Sequence, residues 1–141
     1  MKKIRILILF LILTTGLQAQ TYKLNLEISD ISKGSGTIVI AVFNNQQSFK
    51  NEKNPYLKQF IPIKQIGKLV IELLLPPGNY AIAVFQDLNK NSRLDFNFLG
   101  IPTEPYGFSN NPSPLSIPEF RVVKIQIKGD QKILIRLNTL L

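Results

Sequence analysis

Oxygen-bearing side chains recur at short, regular intervals in one loop of the sequence. Asp87, Asn89, Asn91 and Asp95 occupy positions 1, 3, 5 and 9 of this loop, and Arg93 at position 7 would contribute its backbone carbonyl oxygen. A tightly wound loop with this spacing turns successive oxygens inward around a hard cation such as calcium. The spacing therefore predicts a calcium site.

Several neighbouring residues argue that such a site would be weak. Ser92 occupies position 6, where glycine makes the sharp turn more easily. Phe98 occupies position 12, so the bidentate carboxylate of an EF-hand is missing. Lys90 and Arg93 add positive charge beside the loop. Glu104 is the nearest later acid able to fold back as a further ligand.

The same residue types also build loops that hold no metal. Asp and Asn side chains accept hydrogen bonds from nearby backbone N–H groups and stabilise turns in this way. Calcium binding and a metal-free loop rich in such turns are therefore two alternatives that the spacing leaves open. If calcium binds, its predicted ligands are Asp87, Asn89, Asn91, Arg93, Asp95 and Glu104.

The elements on either side of this loop, here called the Asp/Asn loop (residues 87–95), should fix its position. Residues 80–85 (YAIAVF) are apolar on both alternating faces, which is typical of a central strand covered on both sides. The preceding PPGN predicts a turn in which Gly78 takes a positive φ. Residues 96–120 combine prolines with aromatic side chains, which predicts an ordered loop covering the Asp/Asn loop. A ligand groove lined by those aromatic side chains is the alternative.

The run from Leu75 to Asn111 resembles the hallmark sequence of the DUF2141 family. That family carries an LPPGxYA turn and strand, a DxNxNxxLD loop and a GxPxExYGFSNN segment, and this chain reads LPPGNYA, DLNKNSRLD and GIPTEPYGFSNN. The resemblance implies an exported bacterial protein and a shared fold, but it implies no activity. Ser92 stands where the family more often has glycine, which lowers the metal affinity we expect.

The N-terminal residues predict export. A basic start at residues 2–5 precedes an unbroken apolar run at 6–13, and the small Ala19 ends the segment. The run is too short for a transmembrane helix, which needs about 20 residues. We expect residues 1–19 to be a signal peptide and 20–141 to fold as one domain in the periplasm or outside the cell, with no transmembrane segment left. An uncleaved anchor is the alternative.

Composition excludes several kinds of chemistry. The chain has no Cys and no His, which excludes disulfides, the usual zinc sites and His-based catalysis. Of the net charge of +8, three positive charges lie at residues 2–5. The remaining 14 basic and 9 acidic residues are spread along the sequence without a basic cluster interleaved with aromatic residues, so we expect no nucleic-acid partner. Weak attraction to acidic polymers of the cell envelope is compatible with this charge.

Seven segments are predicted to be strands, at residues 22–29, 37–43, 56–63, 68–74, 80–85, 121–127 and 132–137. Segments 37–43 and 80–85 are almost continuously apolar, and in most of the others apolar residues alternate with polar ones. About seven short strands separated by turn signals, with almost no helix, predict an all-β fold: an antiparallel β-sandwich, Ig-like or prealbumin-like. A short helical turn is expected at 48–52, anchored by Phe49. The sequence does not predict the strand order.

Three functions are compatible with these features. The first is an exported, non-catalytic module, stabilised by calcium, that binds an envelope polymer or a protein. The second is a structural or assembly subunit that acts through an edge strand near Pro62. The third is a small hydrolase with Asp87, Asp95 and Glu104 as paired carboxylates. It is the least favoured, because oxygens arranged to hold calcium are poor proton shuttles.

Overall fold

The structure is a computed structural model that describes residues 19–116 and 118–140. The predicted signal peptide lies outside the described residues, apart from Ala19. The described chain forms eight strands and two short helices: β1 Tyr22–Ile31, β2 Thr37–Phe43, α1 Gln46–Asn51, β3 Leu57–Pro62, β4 Gly67–Leu75, β5 Gly78–Asp87, β6 Tyr106–Phe108, α2 Phe120–Val123, β7 Ile125–Ile127 and β8 Gln131–Arg136. Neither helix of this described part is long and apolar enough to cross a membrane.

The strands form two sheets. One has the order β4-β1-β8, and the other has the order β3-β2-β5-β6, with β7 also paired to β5. All the pairings are antiparallel except that of β1 with β8, which is parallel. The prediction of an all-β, mostly antiparallel chain is thus confirmed, but the strand count is eight in the described residues rather than about seven.

The alternation of apolar residues explains why both sheets share one core. On β1, Leu24, Leu26 and Ile28 are fully buried, and they alternate with more exposed residues. They lie in the same hydrophobic cluster as Ile40 and Ile82 of the other sheet. Each buried aliphatic side chain of this size contributes about 1.5–3 kcal/mol to folding. Strand β5 is apolar on both faces because each face is covered: Ile82 and Val84 lie in the shared core, and Ala81 packs in a second cluster.

A second, smaller cluster forms on the other face of β5. Phe49 of α1 lies with its ring centroid 5.5 Å from Phe43 and 6.1 Å from both Phe108 and Phe120, in edge-to-face arrangements. Phe49 therefore anchors the helical turn as predicted. Phe108 and Phe120 pack on this cluster, so they do not line an open groove of aromatic side chains.

Two local predictions were wrong. Residues 121–127 were expected to be one strand, but α2 interrupts it, because a helical turn brings Phe120 and Val123 onto the same side and into the second cluster. Gly78 was expected to have a positive φ, but it begins β5 and pairs with Ile127 in extended conformation. The Tyr80 hydroxyl instead donates a hydrogen bond to the Pro76 carbonyl oxygen at 3.0 Å and closes this turn.

Candidate metal site

The Asp/Asn loop is wound around the carboxylate of Asp87, the last residue of β5. Asp87 is only 1% exposed. Its Oδ1 accepts a hydrogen bond from the Asn91 backbone N–H at 3.1 Å, and its Oδ2 accepts one from Ser92 at 2.8 Å. Hydrogen bonds to a charged acceptor are stronger than neutral ones. The buried carboxylate therefore fixes the first turn of the loop.

Two further side chains continue the winding. Asn89 Oδ1 accepts from the Asn91 backbone N–H at 3.1 Å, and Asn91 Oδ1 accepts from the Arg93 backbone N–H at 2.9 Å. These are side-chain turns of the kind that Asp and Asn favour. Ser92, at the position where glycine is expected, has the left-handed φ of 65°. A residue with a Cβ adopts this conformation less readily than glycine does.

The polar ends of three side chains converge above this turn. Asn89 Nδ2 donates to Asp95 Oδ2 at 2.6 Å. Asn91 Nδ2 donates to both oxygens of Asp95, at 2.9 and 3.0 Å. The positive ends of two amide dipoles therefore face the Asp95 carboxylate. A cation at this place requires each amide to rotate and present its oxygen instead.

Glu104 links the two ends of the loop through hydrogen bonds to their backbone. It is 5% exposed. Its Oε1 accepts from the Leu88 backbone N–H at 2.7 Å, and its Oε2 accepts from the Asp95 backbone N–H at 3.2 Å. The segment that carries it is held to β5 by the bond from the Gln86 backbone N–H to the Pro105 carbonyl oxygen at 2.8 Å. Glu104 thus lies at the loop as expected, but both its oxygens accept from the backbone.

The charges of the loop have no cationic partner within the described residues. The ion pairs there are Lys23–Glu72, Lys68–Glu27, Lys132–Glu27 and Arg121–Glu119. No group of three or more acidic side chains in the described chain is close enough to hold a metal without other ligands. A cation here would therefore depend on Asn amide and backbone oxygens as well as on Asp87 and Asp95. Arg93 can contribute only its backbone carbonyl oxygen, because its positively charged side chain has no acceptor atom.

The sequence did not predict two residues that hold the loop in place. Gln86 is fully buried, and its Nε2 donates to the carbonyl oxygens of Lys33 at 2.6 Å and Ser35 at 2.8 Å. Gly36 has a φ of +84°, and a Cβ there would lie 2.5 Å from the Asp87 carbonyl oxygen. The turn-forming run SKGSG indicates a loop at Gly36. No sequence pattern marks Gln86.

Replacing Glu104 with Gln should loosen the loop. The single carbonyl oxygen of Gln can accept from one backbone N–H, while its amide group faces the other, donor against donor. We expect the free energy of unfolding to fall by about 1–3 kcal/mol. Amide hydrogen exchange at Leu88 and Asp95 should become faster. The exposed Glu52 provides the control Glu52→Gln, which should change neither quantity; slow exchange at both amides in Glu104→Gln would contradict the assigned role.

The chain belongs to the DUF2141 family, described as an uncharacterised protein conserved in bacteria, whose model matches residues 26–134. The matched range contains the whole Asp/Asn loop, Glu104 and β6. No curated protein and no solved structure matches the chain. The family description assigns no activity, so a function has to be argued from the loop itself.

Proposed function

We propose that this member of the DUF2141 family is an exported, non-catalytic module whose Asp/Asn loop binds calcium and which contacts a polymer or protein of the cell envelope. The convergence of Asn89, Asn91 and Asp95 above the buried Asp87 carboxylate carries the proposal. The two sheets with one shared core favour a β-sandwich of the Ig-like or prealbumin-like kind as its frame.

The loop supplies oxygen ligands of the kind that calcium prefers, but their combined affinity for calcium should be low. A carboxylate oxygen that accepts one backbone N–H keeps a second lone pair, so Asp87 remains able to bind a cation. Asp87 and Asp95 bring two formal negative charges, while Lys90 and Arg93 oppose them. We therefore expect a Kd on the order of 10⁻⁴ to 10⁻³ M, as for extracellular calcium modules. Such an affinity suits an exported protein.

Glu104 has a supporting role in this proposal. Since its two oxygens accept from Leu88 and Asp95, it holds the first and last parts of the loop at a fixed separation. A loop that is ordered before the cation arrives loses less conformational entropy on binding. The proposed ligands are the side chains of Asp87, Asn89, Asn91 and Asp95 with the backbone carbonyl of Arg93. Glu104 keeps a second lone pair on each oxygen, as Asp87 does, and is the further ligand that the sequence predicts.

A binding role is favoured over catalysis by the way the acids are used. Asp87 and Glu104 are buried and each accept two backbone hydrogen bonds, so neither carboxylate is open to a polymeric substrate, although a small cation can still use a remaining lone pair. Two hollows on the described surface lie beside α1 and near the ends of β3 and β4. Neither is lined by Asp87, Asp95 or Glu104.

An assembly subunit is the second candidate function. β3 lies at the edge of its sheet, which is the position for pairing with a strand of another chain. Yet Pro62 ends this strand, and the Lys58 ammonium lies 5.2 Å from the centre of the Phe60 ring. Lysine and proline on an edge strand discourage pairing. The edge position of β3 supports an assembly role, but the Lys and Pro side chains of this strand make that role the weaker candidate.

Calcium should raise the melting temperature of metal-stripped wild-type protein. Binding to the folded state alone stabilises it by about 1.4 kcal/mol at ten times Kd. This corresponds to a shift of about 5 °C for a domain of this size. Magnesium should do less, because it resists dehydration and requires octahedral geometry. Differential scanning calorimetry measures the melting temperature in calcium, in magnesium and in chelator.

Two charge variants sharpen this test. Asp95→Asn keeps the size of the side chain but removes one of the two negative charges of the loop, so the calcium shift should disappear. Glu72→Gln removes one negative charge on β4, where Glu72 pairs with the exposed Lys23, and should keep the full shift. Identical melting temperatures of the wild type in calcium and in chelator would show that the loop binds no calcium.

Export should leave a shortened chain. Cleavage after Ala19 predicts a mature N-terminus at Gln20, or within about two residues of it. Mass spectrometry of the envelope and periplasmic fractions measures the N-terminal peptide. Recovery of only the intact chain, with Met1, from the cytoplasm would contradict export.

A further inference from the structure

We infer that one end of the molecule docks on an anionic lipid surface by inserting Phe98 and Leu99. This end, called the loop end, consists of residues 32–36, 63–67 and 88–103. The inference goes beyond the proposed function because it names a lipid bilayer as the partner. It does not require calcium to be bound.

Contacts between the loops show that they form one continuous surface. The Ile63 backbone N–H donates to the Gly36 carbonyl oxygen at 3.0 Å, which joins the first loop to the second. Gln86, at the end of β5, holds the carbonyl oxygens of Lys33 and Ser35. Glu104 ties the Asp/Asn loop to the segment that returns toward β6. The three loops therefore lie at the same end of the two sheets.

Residues 96–102 form a small hairpin with an apolar tip. Phe96 pairs with Pro102, and the side-chain oxygen of Asn97 accepts from the backbone N–H groups of Leu99 at 2.9 Å and Ile101 at 3.0 Å. At this tip Phe98 is 94% exposed and Leu99 is 66% exposed. Large apolar side chains that are held outward in this way mark interaction sites. Because the backbone of the hairpin is already ordered, inserting these two side chains into a bilayer costs little further conformational entropy.

The exposed charges around this tip are positive. Four exposed basic side chains belong to the loop end, namely Lys33, Lys64, Lys90 and Arg93. Its acids are turned inward, since Asp87 and Glu104 are buried and Asp95 is half-buried under the Asn amides. The exposed Asp30 lies just outside it, and residues 96–103 carry no charge. This arrangement presents cations to headgroup phosphates while the tip reaches the acyl boundary.

The shape of the tip favours a bilayer over a protein partner. Phe98 and Leu99 project from a convex hairpin, and a lipid surface accepts them without a matching cleft. A second copy of the chain would have to offer an apolar hollow. The hollow beside α1 is lined only by polar residues, and the hollow near the ends of β3 and β4 has two lysines, Lys64 and Lys68, beside its apolar lining. Packing of the tip on a second copy is the alternative, and the experiment below also tests for it.

Co-sedimentation with vesicles tests this inference. The protein is mixed, in chelator and at low salt, with vesicles of phosphatidylcholine alone or with added phosphatidylglycerol. Wild type should bind the anionic vesicles and release them as salt rises. The double variant Phe98→Ser, Leu99→Ser should bind at least roughly tenfold more weakly, because it loses two apolar groups that become buried. Lys90→Gln and Arg93→Gln should each weaken binding about fivefold.

A matched control and a reporter complete the experiment. Leu74 of β4 is also exposed, at 58%, but pairs with Lys23 far from the loop end, so Leu74→Ser should bind like wild type. The chain has no Trp, so Phe98→Trp supplies a single tryptophan, which can be excited selectively over the tyrosines. Its emission should move to shorter wavelength on anionic vesicles, and that of Leu74→Trp should not.

Three results would overturn the inference. The first is a wild type that does not bind anionic vesicles at low salt. The second is equal binding by the Phe98→Ser, Leu99→Ser variant. The third is self-association in analytical ultracentrifugation without lipid that this variant abolishes, since the tip would then pack on a second copy. Because all samples contain chelator, none of these results depends on whether the Asp/Asn loop binds calcium.

Discussion

Gly107→Ala is expected to abolish stable folding or to lower the free energy of unfolding by more than about 3 kcal/mol. Gly107 lies in β6, opposite Val84 of β5. A Cβ at Gly107 would overlap the Arg136 carbonyl oxygen and lie 2.9 Å from Cγ2 of Ile135. The overlap is with backbone, so no side chain can rotate to relieve it. A domain of this size has only about 5–15 kcal/mol of stability to lose.

The reason for this sensitivity is that the two sheets meet at Gly107. Tyr106 and Asn138 exchange two backbone hydrogen bonds there, at 3.0 and 2.7 Å. The control is Gly129→Ala, because a Cβ at Gly129 meets nothing within 4 Å and its φ is not in the left-handed region. Urea denaturation should give Gly129→Ala a midpoint near that of wild type. A wild-type midpoint for Gly107→Ala as well would show that β6 does not pack on β8 in this way.

Asp87→Asn is expected to have the second large effect, on both the loop and its calcium response. An Asn side chain can accept from only one of the Asn91 and Ser92 backbone N–H groups, and its amide group opposes the other. The Asn91 N–H keeps its hydrogen bond to Asn89 Oδ1, so the loss falls on the Ser92 N–H and on the amide group of the new, buried side chain. We expect a loss of about 2–4 kcal/mol in the free energy of unfolding and no stabilisation by calcium.

An Asp that makes a single backbone bond provides the comparison. Asp130 is exposed, and only its Oδ1 accepts, from the Lys23 backbone N–H at 2.8 Å. Asp130→Asn keeps that acceptor, so its denaturation midpoint and calcium response should match those of wild type. If Asp87→Asn behaved in the same way, the buried carboxylate would not be what holds the loop.

Most strands were predictable because their apolar residues alternate with a period of two. Leu24, Leu26 and Ile28 of β1 show this pattern, and so do Ile125 and Ile127 of β7. The parallel pairing of β1 with β8 was not predictable, because it joins residues more than a hundred positions apart. Local turn chemistry gave the wrong prediction at Gly78, which pairs with Ile127 of β7 in extended conformation, about fifty residues away along the chain.

The candidate site was predictable as a cluster, but its hydrogen bonds were not. The spacing of Asp87, Asn89, Asn91 and Asp95 indicated a tightly wound loop, and that is how the chain folds. Which way each Asn amide points depends on Asp95, four to six residues away. The exposed position of Phe98 depends on the hairpin that Asn97 closes, which the sequence did not predict.

The most direct measurement of calcium binding is a titration of metal-stripped, ¹⁵N-labelled protein followed by NMR. We expect saturating shifts of the backbone amides of the Asp/Asn loop, with a Kd on the order of 10⁻⁴ to 10⁻³ M, and little change on β1 or β4. Asp95→Asn should remove these shifts. Loop amides that do not move at millimolar calcium, or shifts that never saturate and spread over all exposed acids, would contradict a calcium site at Asp87 and Asp95.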